Sequence, residues 1–188
     1  MDCGTVEKTQ LKSILYTGNL GRRYGILTLL DAFLSIKSSD YRLWIRGAGD
    51  TLNDIRERQK EDPRIVIYDP LSREDLVRLE KSATLLVNPV SSKEEFTSFF
   101  FPSKTMEYLA SGTPTLMCRL ACLPNEYHQH LFFFKDDSVE DLRDKIEQIC
   151  SKPQAELEEF GAKASEFILN KKTPKVQVKH IIDFLNKL

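Results

Sequence analysis

This 188-residue sequence has one tryptophan, three histidines and no long apolar run. No stretch reaches the roughly 18 consecutive apolar residues that span a bilayer, and the first residues lack the apolar segment of a signal peptide. A cytoplasmic chain is expected, touching at most the inner face of a membrane. Neither sign of charge is in excess, with 27 Lys plus Arg against 28 Asp plus Glu. That balance excludes a broad basic field toward nucleic acid or anionic lipid. The four cysteines, Cys3, Cys118, Cys122 and Cys150, show no CxxC spacing, which argues against both a zinc site and a disulfide framework. His128 and His130 in "YHQH" have no third ligand near them, whereas zinc takes about four, so no metal is expected and both read as polar loop residues. Internal repeats and low-complexity linkers are also absent. The expectation is one domain over residues 11–188, preceded by an arm at residues 1–10.

What the sequence does contain is alternation. "LKSILYTGN" (11–19) reads as a strand, and "YGILTLLDAFLSIKSS" (24–39) places Ile26, Leu29, Leu30, Phe33 and Ile36 at helical spacing. A second strand over 41–50, a polar helix over about 51–60 and a third strand over 64–70 follow. Ser72 is set to cap the next helix, with Asp75 three residues on. "TLLVNPV" (84–90) is almost wholly apolar, as befits a parallel strand covered on both faces. A helix from Pro102, strands over 114–118 and 131–135 and three closing helices complete the pattern. Parallel neighbours need crossover connections, so the fold class expected is α/β, a doubly wound, Rossmann-like parallel sheet of about six strands with C-terminal helices.

Ligands of such sheets bind beyond the carboxyl ends of the strands. After the first strand, "TGNLGRRYG" offers Gly18, Asn19 and Gly21, with Arg22 and Arg23 just ahead of a helix N-terminus, where anions are favoured. It is neither a Walker loop nor a dinucleotide fingerprint. Two readings stand: a phosphate cradle, or a glycine turn with a solvated arginine pair. Gly47 and Gly49 in "GAGD" would let a base or ribose lie on the backbone, or would simply turn the chain. In "FPSKTMEYLASGTP", Pro102 suits a first helical turn, and Ser103, Lys104 and Glu107 share a face while Met106, Leu109 and Ala110 look to the core. A carboxylate there can take two ribose hydroxyls and a lysine can neutralise phosphate; a surface ion pair is the plainer alternative. The Phe99 to Phe101 run and "FFFK" read as core, His180 as surface. Lys171, Lys172, Lys175 and Lys179 form either a solvated helix end or a patch for anionic lipid.

These segments, with "RIVIYDPLSREDLVRLEKSATLLVNP", resemble the donor-binding half of a glycosyltransferase family 4 enzyme of GT-B fold over residues 11–188. The resemblance implies transfer of a hexose from a UDP- or GDP-sugar to a glycan or lipid-linked acceptor, with retention, without a metal, in surface polysaccharide synthesis. It assigns diphosphate stabilisation to Arg22, Arg23 and Lys104 and the ribose to Glu107. The rest of the nucleotide falls to Gly18, Asn19, Gly47, Gly49 and Ser103, with the base against Tyr68, Asp69 and Pro70. The family's second glutamate is replaced by Phe99, so Glu95, with Phe96 and Thr97, is the candidate contact to the donor sugar. An N-terminal acceptor-binding domain is expected as partner, the chain alone binding nucleotide without transferring sugar. A non-catalytic nucleotide- or partner-binding module of the same half fold is the alternative. A receiver-type domain would need an acidic cluster at the strand ends, which Asp69 followed by Pro70 does not provide.

Overall fold

The structure, a computed structural model, describes residues 11–99 and 101–186, the side chain of His180 excepted. The N-terminal arm with Cys3, the core assignment of Phe100 and the surface assignment of His180 lie outside the described residues. Six strands form one parallel sheet: β1 (Lys12–Asn19), β2 (Tyr41–Ala48), β3 (Ile65–Tyr68), β4 (Leu85–Asn88), β5 (Thr115–Cys118) and β6 (Phe132–Phe134), in the order β3-β2-β1-β4-β5-β6. The helices are α1 (Ile26–Ser35), α2 (Leu52–Glu61), α3 (Arg73–Ser82), α4 (Ser103–Ser111), α5 (Val139–Cys150), α6 (Gln154–Lys171) and α7 (Pro174–Leu185). Between β5 and β6 the crossover carries a 3-10 turn, Asn125–His130, and no α-helix. The expected α/β architecture is thus observed, with β2 ending two residues early at Ala48.

The apolar continuity of β1 and β4 follows from their central place. Ile14, Tyr16, Leu85 and Val87 pack with Ile26, Leu29 and Phe33 of α1, while Leu15 and Leu86 meet Ala83 and Tyr108 on the opposite face. All eleven are fully buried, and each large apolar side chain so buried stabilises the fold by about 1.5–3 kcal/mol. Caps set the helix starts: Ser72 accepts from the Asp75 amide and Ser138 from the Asp141 amide, each at 3.1 Å. The chain runs outward through β2 and β3, then returns to the far side of β1 as β4. That reversal opens a crevice between the carboxyl ends of β1 and β4.

Gly25 ties the two sides of the crevice together. It has φ +75°, heads α1, and a Cβ there would sit 2.0 Å from the Pro89 carbonyl oxygen after β4. Gly25→Ala therefore combines a left-handed backbone with a clash and should cost at least about 1–3 kcal/mol. Urea unfolding checks this: the midpoint should fall with an unchanged slope, and an unmoved midpoint contradicts the account.

Candidate functional site

At the crevice, α4 begins after Pro102 with no side-chain cap and no acidic residue in its first turn. Its positive end is therefore uncompensated locally. Ser103 and Lys104 from this turn share a cavity of about 100 Å³ with Asn19, Tyr24, Asn88 and Phe96. Lys104 reaches it by lying over the Tyr16 ring, with Nζ 4.2 Å from the centroid. Gly18, at φ +131°, makes room, since a Cβ there would lie 2.8 Å from that Nζ. Neither Lys104 Nζ nor Asn88 Nδ2 has a hydrogen-bond partner, and both atoms are buried. Burial lowers the Lys104 pKa to about 8, opposed in part by the charge of Glu107. An unpaired buried donor is costly and an unpaired cation more so, so two of them lining one cavity suit an anion.

Three residues further along α4, about 4.5 Å on the axis, Glu107 lines a second cavity of about 470 Å³ between α3 and α4. Arg46, Leu71, Leu76, Val77 and Glu80 also wall it. Glu80 is 2% exposed and accepts from Thr17 Oγ1 at 3.4 Å. The Thr17 amide donates to the Tyr108 hydroxyl at 2.8 Å, and that hydroxyl donates back to the Thr17 carbonyl at 3.2 Å. Burial first, then the Glu107 charge, raise the Glu80 pKa to about 7 against the opposing Thr17 bond.

The structure gathers Asn19, Phe96, Ser103 and Lys104 around the smaller cavity and Glu107 into the larger one. Arg22 turns instead to Asp54 on α2, 2.9 Å away with both side chains well exposed, and Arg23 stacks on Tyr24 and Phe96 at the cavity wall. Gly47 and Gly49 serve the chain's own packing: Cβ atoms there would meet the Gly18 carbonyl oxygen at 1.9 Å and the Leu20 carbonyl carbon at 2.3 Å. Tyr68 packs edge-on against Trp44, while Asp69 and Pro70 are exposed; none of the three lines the larger cavity. Thr97 is buried and bonds the Glu94 carbonyl at 2.6 Å, whereas Glu95 is exposed. Phe99, expected in the core, is 88% exposed because its loop carries it to the surface. His128 packs against Phe133 and His130 stacks on Phe167. No group of three or more His, Cys, Asp or Glu residues that could hold a metal occurs among the described residues. No described helix is long and apolar enough to cross a membrane. Sequence reasoning missed Arg46, Glu80 and Asn88; the polar ends of otherwise apolar strands were the available signal for Arg46 and Asn88.

Residues 11–152 match the family described as Glycosyl transferases group 1. No curated protein sequence gave a match. Among solved structures, the chain is similar to HepE from Anabaena in complex with UDP and glucose, at 14% identity and TM-score 0.74, covering 95% of this chain and 49% of that one. Sucrose-phosphate synthase from Thermosynechococcus elongatus gives 18% identity and TM-score 0.73, over 94% of this chain and 46% of its own. The catalytic domain of cholesterol-α-glucosyltransferase from Helicobacter pylori gives 17% and 0.69, over 87% of this chain and 100% of that one. The chain thus spans less than half the length of the first two.

Glu80 generates a pH prediction. Its folded pKa lies above the ordinary 4.5, so the folded chain holds the proton more tightly than the unfolded one. Its contribution is complete below pH 4.5 and is lost as pH rises through about 7, a change on the order of 3 kcal/mol. Glu80→Gln should flatten the fall in unfolding free energy across that window. An equal slope in both proteins would contradict the assignment.

Proposed function

The chain belongs to the Glycosyl transferases group 1 family, and we propose that it forms the donor-binding half of a family 4 type enzyme that transfers a hexose from a nucleoside diphosphate sugar. The observation that carries this reading is the pair of unpartnered donors, Lys104 Nζ and Asn88 Nδ2, buried in one cavity at the uncapped start of α4. A diphosphate satisfies both, and the helix N-terminus adds a favourable field. Glu107, one turn on, is spaced to accept hydrogen bonds from ribose hydroxyls, and the larger cavity beyond it takes the base.

When the bond from the sugar's anomeric carbon to the diphosphate oxygen breaks, negative charge grows on the leaving group. Lys104 and the first turn of α4 are pre-arranged to stabilise it, the work a divalent metal does elsewhere, so the proposed reaction is metal-independent. Arg23 sits at the wall of the same cavity and can swing toward the phosphates, whereas Arg22 would have to leave Asp54. Retention of configuration and a glycan or lipid-linked acceptor in surface polysaccharide synthesis come from the family 4 resemblance. The acceptor side is proposed to lie outside residues 11–186, so this chain alone should bind donor without turnover.

Calorimetric titration with UDP and GDP tests this. Glu107→Ala should weaken the better ligand roughly 10- to 150-fold, the worth of hydrogen bonds to a charged group. Lys104→Met should lose affinity by a similar factor yet raise unfolding free energy by about 1–3 kcal/mol, because it removes a buried unpaired cation. Two folded variants that bind like the parent would contradict the site. Since bound phosphate restores the Lys104 proton, affinity should fall as pH rises above about 8, with proton uptake visible between buffers of different ionisation enthalpy. Binding without proton uptake would remove Lys104 from the diphosphate.

A further inference from the structure

Arg46 is the third residue from the end of β2 and pairs in register with Tyr68 of β3. Its neighbour Ile45 is fully buried in the core on one face of the sheet, and Trp44 packs with Leu15, Leu86 and Tyr108 on the face that Arg46 shares. The guanidinium therefore stands at the mouth end of the α3/α4 side, half-buried, in the wall of the 470 Å³ cavity. It has no hydrogen-bond or ion-pair partner among the described residues, although Glu80 and Glu107 line the same cavity. Arg73, at the start of α3, lines the same cavity but is exposed, whereas Arg22 is held by Asp54 and Arg23 by aromatic rings.

The position decides what such a group can meet. With the diphosphate at Lys104 and the ribose at Glu107, the space left lies between Arg46 and the apolar side chains of Leu71, Leu76 and Val77. Those walls suit the faces of a flat ring, and the guanidinium is the edge-on group. An arginine carries five N–H donors in a rigid fork and no acceptor. It complements a base edge that presents acceptors, such as guanine O6 with N7, and uracil likewise offers ring carbonyls. Adenine and cytosine put an exocyclic amino group where guanine has O6 and uracil has O4, so with that edge toward Arg46 donor meets donor. We infer that Arg46 reads the base and restricts the nucleotide to one with a ring carbonyl turned toward it, uracil or guanine. This rests on the nucleotide reading of the site and deepens it by naming the residue that selects the base.

The test titrates UDP, GDP, ADP, CDP and pyrophosphate into the parent chain, Arg46→Met and Arg46→Lys, with thermal unfolding as the check on folding. UDP or GDP should bind the parent about 10- to 150-fold more tightly than ADP and CDP, the worth of a hydrogen bond from a charged donor to a base carbonyl. Arg46→Met should erase that preference and leave pyrophosphate unchanged. Arg46→Lys keeps the charge but not the fork, and should lose most of the preference too. Preference unchanged in Arg46→Met, or equal weakening of all four nucleotides and pyrophosphate, overturns the base-reading role while the nucleotide site stands. A parent that prefers ADP or CDP also overturns it. No binding of any nucleotide to the parent overturns the nucleotide reading, and this inference with it.

Discussion

Tyr16, Gly18 and Lys104 fill one another's space at the carboxyl end of β1, and the layout of both cavities follows from that contact. The Lys104 ammonium lies on the Tyr16 ring and in the volume that a side chain at position 18 would take. A cation over an aromatic face is worth about 0.5–2 kcal/mol. That does not offset the desolvation that lowers the lysine's pKa. The residue is held in a place it would not choose for stability alone. The sheet enforces it: β1 and β4 are locked by buried side chains on both faces, and Gly25 packs directly on Pro89.

A second unfavourable burial lies on α3, in the wall of the cavity that Glu107 also lines. Glu80 is sequestered with Thr17 and Tyr108, and its proton is held by the low polarity of its surroundings and the nearby Glu107 charge. Thr17 leads into the Gly18 loop, and Tyr108 follows Glu107 on α4, so the same hydrogen bonds that accommodate Glu80 fix β1 against the helix bearing the site. Polar groups that weaken the fold while lining two neighbouring cavities are the pattern expected where binding later supplies their partners.

The parallel sheet was legible in the sequence because apolar strand and helix periods alternate through the first five strands, and because the cap at Ser72 is a local signal. Lys104 and Glu107 were legible as partners of one helix face. Their different fates were not: spacing gives a shared face, but only the approach of Tyr16 from β1 says that the lysine's ammonium is buried and the glutamate exposed. Gly47 and Gly49 look like ligand-facing glycines until the neighbouring backbone of Gly18 and Leu20 is seen in the space they leave. Arg22 and Arg23 are adjacent in sequence but diverge, since Asp54 on α2 draws one and Phe96 after β4 draws the other. Arg46, Glu80 and Asn88 depend on contacts between distant segments, which a single sequence does not display.

The proposed seat of the anion is the buried amide of Asn88 together with the first turn of α4. Heteronuclear NMR of the chain titrated in turn with UDP and GDP tests it most directly. An anion seated there shifts the Asn88 side-chain amide and the Ser103 and Lys104 backbone amides strongly, saturating together with one nucleotide. Resonances that stay still there while those around His130 and Phe167 move would contradict it.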